Sequence, residues 1–295
     1  MKSFISMPEG LPSGCAIGPM RRDEAEALGE WAADAGWNPG LRDIDVAWQY
    51  DPTAFIALRR GETLIGGGAI MAYGRAAGFM GLFILRPEWR QQGLGRVLWH
   101  ERLRRLRARL DPDTPIGMDG VFEMVPFYAA GGFRQLHRDL RFEGVAEGGA
   151  ADPVVESLPA VPPAAIAAYD AAVTGIVRPE YLAAWLGVPG GHGVALRDAG
   201  RLVGYGFARP CRSGVKIGPL LADTPAAAER LLGSLLAALP GVPVALDVPE
   251  PNAAALAMVR ARGWREAFGC ARMESGGTLP VDLARVFGVT SFEFG

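Results

Sequence analysis

Arg90-Gln91-Gln92-Gly93-Leu94-Gly95-Arg96 sets two closely spaced glycines between arginines, after an apolar run and before a long amphipathic stretch. The start of a helix leaves up to about four N–H groups unpaired and carries the positive end of the helix dipole. Glycine at 93 and 95 removes two Cβ atoms, so the backbone can approach an anion closely and take unusual φ values. Arg90 and Arg96 add positive charge on either side. Such a loop suits the holding of a phosphate or pyrophosphate on backbone amides; a plain turn into a basic helix is the other reading. Phosphate loops of stricter spacing are absent: there is no GxxxxGK[ST], and the dinucleotide pattern GxGxxG is reduced to Gly93-Leu94-Gly95.

The elements that must position this loop follow from periodicity. Gly78–Leu85 reads as a strand dense in large apolar residues, so the loop lies at a strand's carboxyl end, where α/β proteins commonly bind ligands. Leu94–Leu110 is the longest helix candidate, with Trp99, Leu103, Leu106 and Leu110 on one stripe. Upstream, an amphipathic helix at Arg21–Ala35 is stopped by Gly36-Trp37-Asn38-Pro39-Gly40. A short helix at Arg42–Trp48 and hairpin strands at Phe55–Arg59 and Leu64–Tyr73 follow. Downstream come a buried strand at Pro115–Met118, a short helix at Glu123–Ala130, and two closing strands at Arg134–His137 and Asp139–Glu143. This makes an α/β domain over residues 1–144. Residues 145–163, rich in Gly, Ala and Pro, read as a linker with a short strand at Val154–Leu158.

Residues 164–295 repeat the plan. Leu202-Val-Gly-Tyr-Gly-Phe-Ala matches Leu64-Ile-Gly-Gly-Gly-Ala-Ile, and Gly214–Leu221 stands where Gly78–Leu85 stood. Pro225–Leu239 is the second long helix, and Leu246-Asp247-Val248 matches Met118-Asp119-Gly120. Phe133 and Arg141 have the same spacing as Trp264 and Arg272. Two related domains, arising by duplication, account for this pattern; chance likeness of two α/β patterns is the alternative.

Composition narrows the function classes. The 295 residues are 49% hydrophobic and 21% charged with a net charge of -2, a soluble globular balance without general attraction to nucleic acid or anionic lipid. Arg102, Arg104, Arg105, Arg107 and Arg109 invite a nucleic-acid reading, but their alternation with leucines makes a solvated helix face more economical. No run approaches the roughly 20 apolar residues that cross a bilayer. The start, MKSFISMPEGLPSG, is broken by proline and glycine before a leader could form, so a cytoplasmic location is expected. Cys15, Cys211 and Cys270 form no disulfide framework or metal site, and His100, His137 and His192 read as structural or surface residues.

The run RxxGxG at Arg90–Gly95, followed after a helix by Tyr128-Ala-Ala-Gly-Gly132-Phe133, resembles the GNAT superfamily of acetyl-CoA-dependent N-acetyltransferases. The motif order spans residues 15–143. With Trp37-Asn-Pro-Gly40 near its start, the whole chain is similar to a two-domain bacterial subgroup. The resemblance implies an α/β (α+β) fold of two tandem domains, each a mixed, mostly antiparallel twisted sheet flanked by helices. It implies acetyl-CoA as cosubstrate, with no metal. Phe83, Ile84 and Leu85 fall where the family's splayed strand offers main-chain groups to pantetheine, and they also fit an ordinary core strand. Arg90, Gln91, Gln92, Gly93, Leu94, Gly95 and Arg96 would hold the pyrophosphate.

Tyr128 matches a position near the sulfur in many members, where a phenol protonated at neutral pH can donate to the departing thiolate; a packing tyrosine is the alternative. An ammonium has no lone pair, so a carboxylate must take its proton, directly or through water. Asp119 is the first candidate and Glu123 the second, though either could bind a cation or cap a helix. Trp37 and Asn38 could line the amine pocket or simply form a helix-stop loop. The second half has Gly218–Pro225, with an aspartate at 223, in place of RxxGxG, and Val259 in place of the tyrosine. It keeps Asn252, where the family often has a CoA-contacting asparagine; Val121 is the first-half counterpart. The second domain is therefore expected to have lost acetyl-CoA and to shape the substrate cleft, with Arg178, Asp170 and Tyr205 as contributors.

The resulting expectation is acetyl transfer to a primary amine of a small molecule by direct attack in a ternary complex. A protein amine is the second choice of acceptor, and a non-catalytic acyl-CoA-binding sensor or partner-binding module is the rival. The oligomeric state is open, a monomer with an intramolecular pseudo-dimer being one form.

Overall fold

The computed structural model describes residues 11–295; most of the stretch MKSFISMPEGLPSG, read above as too broken to form a leader, lies outside them. The first half runs β1 (Cys15–Pro19), α1 (Arg22–Asp34), α2 (Asp43–Tyr50), β2 (Phe55–Arg60), β3 (Thr63–Tyr73), β4 (Ala77–Leu85), α3 (Leu94–Arg107), β5 (Ile116–Gly120), α4 (Val125–Ala130) and β6 (Arg134–Val145). A short β7 (Val155–Ser157) leads to α5 (Pro163–Thr174) and α6 (Pro179–Leu186). The second half continues with β8 (His192–Asp198), β9 (Arg201–Pro210), β10 (Val215–Ala222), α7 (Pro225–Ala237), β11 (Pro243–Pro249), α8 (Ala253–Ala261), β12 (Arg265–Ser275) and β13 (Val286–Gly288).

The two halves share one continuous sheet in the order β1-β2-β3-β4-β5-β12-β6-β11-β10-β9-β8-β7, with β13 paired to β10. The last long strand of each half has crossed into the other: β12 lies against β5, and β6 lies against β11. β6 and β12 pair with each other at the centre. Sequence reading closes each domain with its own strands; instead β6, of 12 residues, and β12, of 11, pair with each other and each also with a strand of the other half. The break expected between His137 and Asp139 is absent, because Arg138 continues the ladder opposite Ala271.

Three cores hold the sheet. One face carries a core drawn from both halves, including Leu28 and Phe55 with Tyr181, Trp185 and Phe207. On the opposite face, α3 and α4 cover the first half, and α7 and α8 cover the second. In α3, Leu94, Leu98, Trp99, Arg102 and Leu106 are buried. Arg102 thus departs from the solvated helix face expected for it. It is fully buried and donates to Ala69 O and Gly81 O, both at 2.6 Å. Its guanidinium occupies the space a Cβ on Gly68 would fill, which ties α3 to β3 and β4. Burial lowers its pKa to about 9. Arg107 and Arg109 are likewise turned inward, onto Thr114 O and Asp51.

Candidate active site

β4 and β5 run parallel but pair only at Gly78–Ile116 and Phe79–Gly117. Beyond those pairs they diverge. Leu82 takes a left-handed φ of 52°, and the register of β4 against β3 slips beside it. The β5-facing edge of β4 is left without a strand partner, and a cavity of about 600 Å³ opens there. Phe83, Ile84 and Leu85 line it, as do Arg90, Gln91 and Gly95.

One end of the cavity is the start of α3. Gly93 precedes the helix at φ 79°, and no side chain caps it. Among the described residues, the amides of Gln91, Gln92, Gly93, Leu94 and Gly95 donate to no acceptor, whereas Arg96 N–H already bonds Gly93 O. Arg90 Nε donates to Leu85 O at 3.0 Å and Gln92 Nε2 to Glu88 O at 2.9 Å, bracing the turn. Gln92, Gly93, Leu94 and Arg96 are not among the lining residues: Leu94 is buried in the core, and Arg96 is exposed beside the turn with no carboxylate partner among the described residues. What this end presents is unpaired N–H groups, helix dipole and a free cation, which together favour an anion.

Midway, α4 and β5 bring Tyr128 and Asp119 to the wall. Tyr128 is packed by Trp99 at 5.0 Å between ring centroids, and its hydroxyl bonds to none of the described residues. Burial pushes its pKa up to about 12, so it keeps its proton at neutral pH. Glu123 lines the mouth and is exposed.

The repeated aspartates have acquired different environments. Asp247 takes two bonds from the Arg141 guanidinium, at 2.6 and 2.8 Å, with Lys216 Nζ at 3.8 Å. Burial pushes its pKa up, but Arg141 and Lys216 outweigh that and hold it below the usual carboxylate range. Asp119 takes one bond from Arg272, at 3.0 Å, and its Oδ1 is buried without a donor. Burial and the neighbouring Asp139 raise its pKa well above the usual range despite Arg272. In both cases the arginine comes from the other half of the chain, which is why the Phe133–Arg141 spacing recurs at Trp264–Arg272.

The far end is built by both halves. Trp37, Phe268, Cys270, Phe292 and Glu293 line it. Trp37 O accepts from Arg141 Nη1 at 2.6 Å, and Arg141 lies 5.4 and 5.2 Å from the Phe268 and Phe292 rings. Asn38 does not join the cavity: its amide pairs both ways with the Ser213 backbone, fastening the loop to the second half. Arg178 does not reach it either. It is buried on Asp170 at 3.1 Å and on Thr290, with Tyr205 donating to the same carboxylate at 2.7 Å. Sequence reasoning missed Phe268, Cys270, Phe292 and Glu293 as site residues, because nothing local marks a strand that pairs with the other half or a tail that crosses between halves.

The second half's counterpart of the wedge is filled. β10 and β11 pair at three positions and separate, but β13 lies along β10 and Val289 N–H bonds Asp247 O. Asn252 Nδ2 donates to Leu283 O, Ala284 O and Val286 O, so it holds this segment of the chain itself. Thr224 caps α7, and Asp223 beside it is engaged by Arg201 and Arg285.

Two models described as the acetyltransferase (GNAT) domain match the chain, over residues 47–147 and 166–288. Holothin acyltransferase from Pseudoalteromonas sp. (strain SANK 73390) is 24% identical over 279 residues, 94% of this chain and 93% of that protein. The crystal structure of an acetyltransferase-like protein from Pyrococcus horikoshii superimposes with a TM-score of 0.82 at 21% identity, covering 98% of this chain and 99% of that one. A GCN5-related N-acetyltransferase from Sphaerobacter thermophilus gives 0.66 at 12%, covering 90% and 96%.

Proposed function

The chain belongs to the GNAT superfamily of acetyltransferases, with one such domain in each half, and from that premise we propose that its first-half cavity transfers acetyl from acetyl-CoA to a primary amine of a small molecule. That it is an acyltransferase follows from its two domains and its relative; the donor, the acceptor and the route are our reading. The observation that carries it is the uncapped start of α3, a turn with five unpaired amides of which Gln91 and Gly95 line a wedge that leads to Tyr128 and Asp119. These residues fit an acyl-CoA: amides and Arg96 for the pyrophosphate, and the free edge of β4 for the pantetheine amides. Bound there, it supplies an activated thioester carbonyl.

The acceptor's place is the far end, enclosed by Trp37, Phe268 and Phe292. Its size limit favours a small amine over a protein segment. Asp119, with Glu123 at the mouth, takes the proton that frees the amine's lone pair, and Tyr128 donates to the departing sulfur. Cys270 is the cysteine in the cavity wall, and burial with the surrounding carboxylates pushes its pKa well up. It stays a thiol rather than a thiolate nucleophile, which favours direct attack over an acyl-cysteine.

Acetyl-CoA with a chemically varied amine panel, followed by thiol release, tests the proposal; turnover on no amine despite CoA binding would count against it. Calorimetry with CoA is expected to give one site per chain, since β13 fills the second wedge. Gly93→Val should weaken that site, because a branched residue at φ 79° costs roughly 1–3 kcal/mol of strain at the cradle. Two sites, or unchanged affinity in the variant, would contradict the assignment.

A further inference from the structure

The proton of the acceptor ammonium needs a way out, and the sheet places a second carboxyl and an imidazole behind Asp119. Register puts Asp119 opposite Arg272 and Arg272 opposite His137, in one row across β5, β12 and β6. Asp139 is two residues along β6, hence on the same face as His137, and it lies within hydrogen-bond reach of Asp119. Each carboxyl keeps a buried Oδ1 that no donor satisfies. His137 Nε2 stands 3.4 Å from Asp139 Oδ1, and its side chain is 12% exposed against 1% for Asp139. The row therefore climbs from the cavity wall toward solvent.

Resting on the N-acyltransferase reading above, we propose that the acceptor's proton leaves through Asp119, Asp139 and His137, the two carboxyls holding one proton between them. A single shared proton is the donor both orphaned oxygens lack, and Arg272 balances the one remaining negative charge. When Asp119 receives a proton from the ammonium, Asp139 passes one to His137, which releases it to water. The amine is left neutral, and the pair returns to one proton and one charge. Imidazole suits the last step because one ring nitrogen accepts while the other donates.

The duplication supplies an internal control. The shared spacing that equates Phe133 with Trp264 and Arg141 with Arg272 equates Asp139 with Cys270 and His137 with Phe268. Asp247, in the half whose wedge is filled, thus has its arginine but neither the second acid nor the imidazole, and both of its oxygens are engaged by Arg141. Other charges face the pair as well. Glu274 of β12 acts on Arg272, and Cys270 lies among Asp119, Asp247 and Glu293. Arg141 is committed to Asp247, and Glu250 faces His137.

The test compares Asp139→Asn and His137→Gln with the wild type in kcat, KM and pH profile on an accepted amine. Asp139→Asn should lower kcat by about 10²-fold with the KM for acetyl-CoA unchanged. It should also move the acid limb to lower pH, because Asp119 loses its like-charged neighbour and keeps Arg272. His137→Gln should lower kcat less, with activity restored by added imidazole. Wild-type rates and profiles in both variants would overturn the route. Infrared difference spectra need no acceptor: a protonated carboxyl band at neutral pH should be present in the wild type and lost in Asp119→Asn and Asp139→Asn. Its absence from the wild type would overturn the shared proton. Failure of the wild type to bind CoA would instead refute the transfer reading, leaving the infrared result to decide the carboxyl pair.

Discussion

Tyr128→Phe is expected to lower kcat by roughly 10²–10⁴-fold while leaving CoA affinity almost unchanged. The substitution removes one oxygen and keeps the ring, which packs against Trp99 and Phe127. No described residue loses a hydrogen bond, because the hydroxyl makes none. Any loss of turnover is therefore chargeable to the proton it would donate as the C–S bond breaks. Its pKa near 12 means the donor form persists across the working range, so no alkaline limb near neutrality should belong to it. Equal thiol-release rates for the two proteins at saturating substrates would remove Tyr128 from the mechanism.

Arg141→Met is expected to destabilise the chain by about 3–5 kcal/mol, because it strands the Asp247 carboxylate in the interior. Both partners are 1% exposed, and the Lys216 nitrogen at 3.8 Å only partly compensates. The same guanidinium fixes Trp37 O, so the acceptor wall should loosen and KM for the amine rise. Since a buried ion pair can often be exchanged for apolar residues at little net cost, Arg141→Met with Asp247→Leu should be more stable than Arg141→Met alone. Thermal unfolding of the single and double variants decides this; equal midpoints would show the pair to be inert. Asp247 is held below the usual carboxylate range, so its contribution is complete above that range and is lost as pH falls through its folded pKa. Wild-type stability should therefore fall more steeply in acid than that of the double variant.

Much of the site's donor end was legible in the sequence because it is made of neighbours. A loop, the strand before it and the helix after it are contiguous from Gly78 to Leu110, and Gly93 and Gly95 announce a backbone conformation that their own chemistry permits. The repeat of one plan in both halves was equally legible in matched spacings, and each half matches an acetyltransferase (GNAT) domain. The Arg141 and Arg272 correspondence could be seen but not explained, since each residue answers an aspartate more than a hundred positions away.

Local residue types pointed to an anion cradle in the first half only: RxxGxG is there, while the second half has Asp223 and Thr224 ahead of its helix. The tertiary structure alone decided what stands opposite that cradle. Strand exchange brings Phe268 and Cys270 into the first half's cavity and Arg272 against Asp119, and the tail adds Phe292 and Glu293 while β13 closes the second wedge. The reason is that alternation along a strand tells which face a side chain takes but not which neighbour it will meet. Here the neighbours of β6 and β12 come from both halves of the chain, across about a hundred positions of sequence or more.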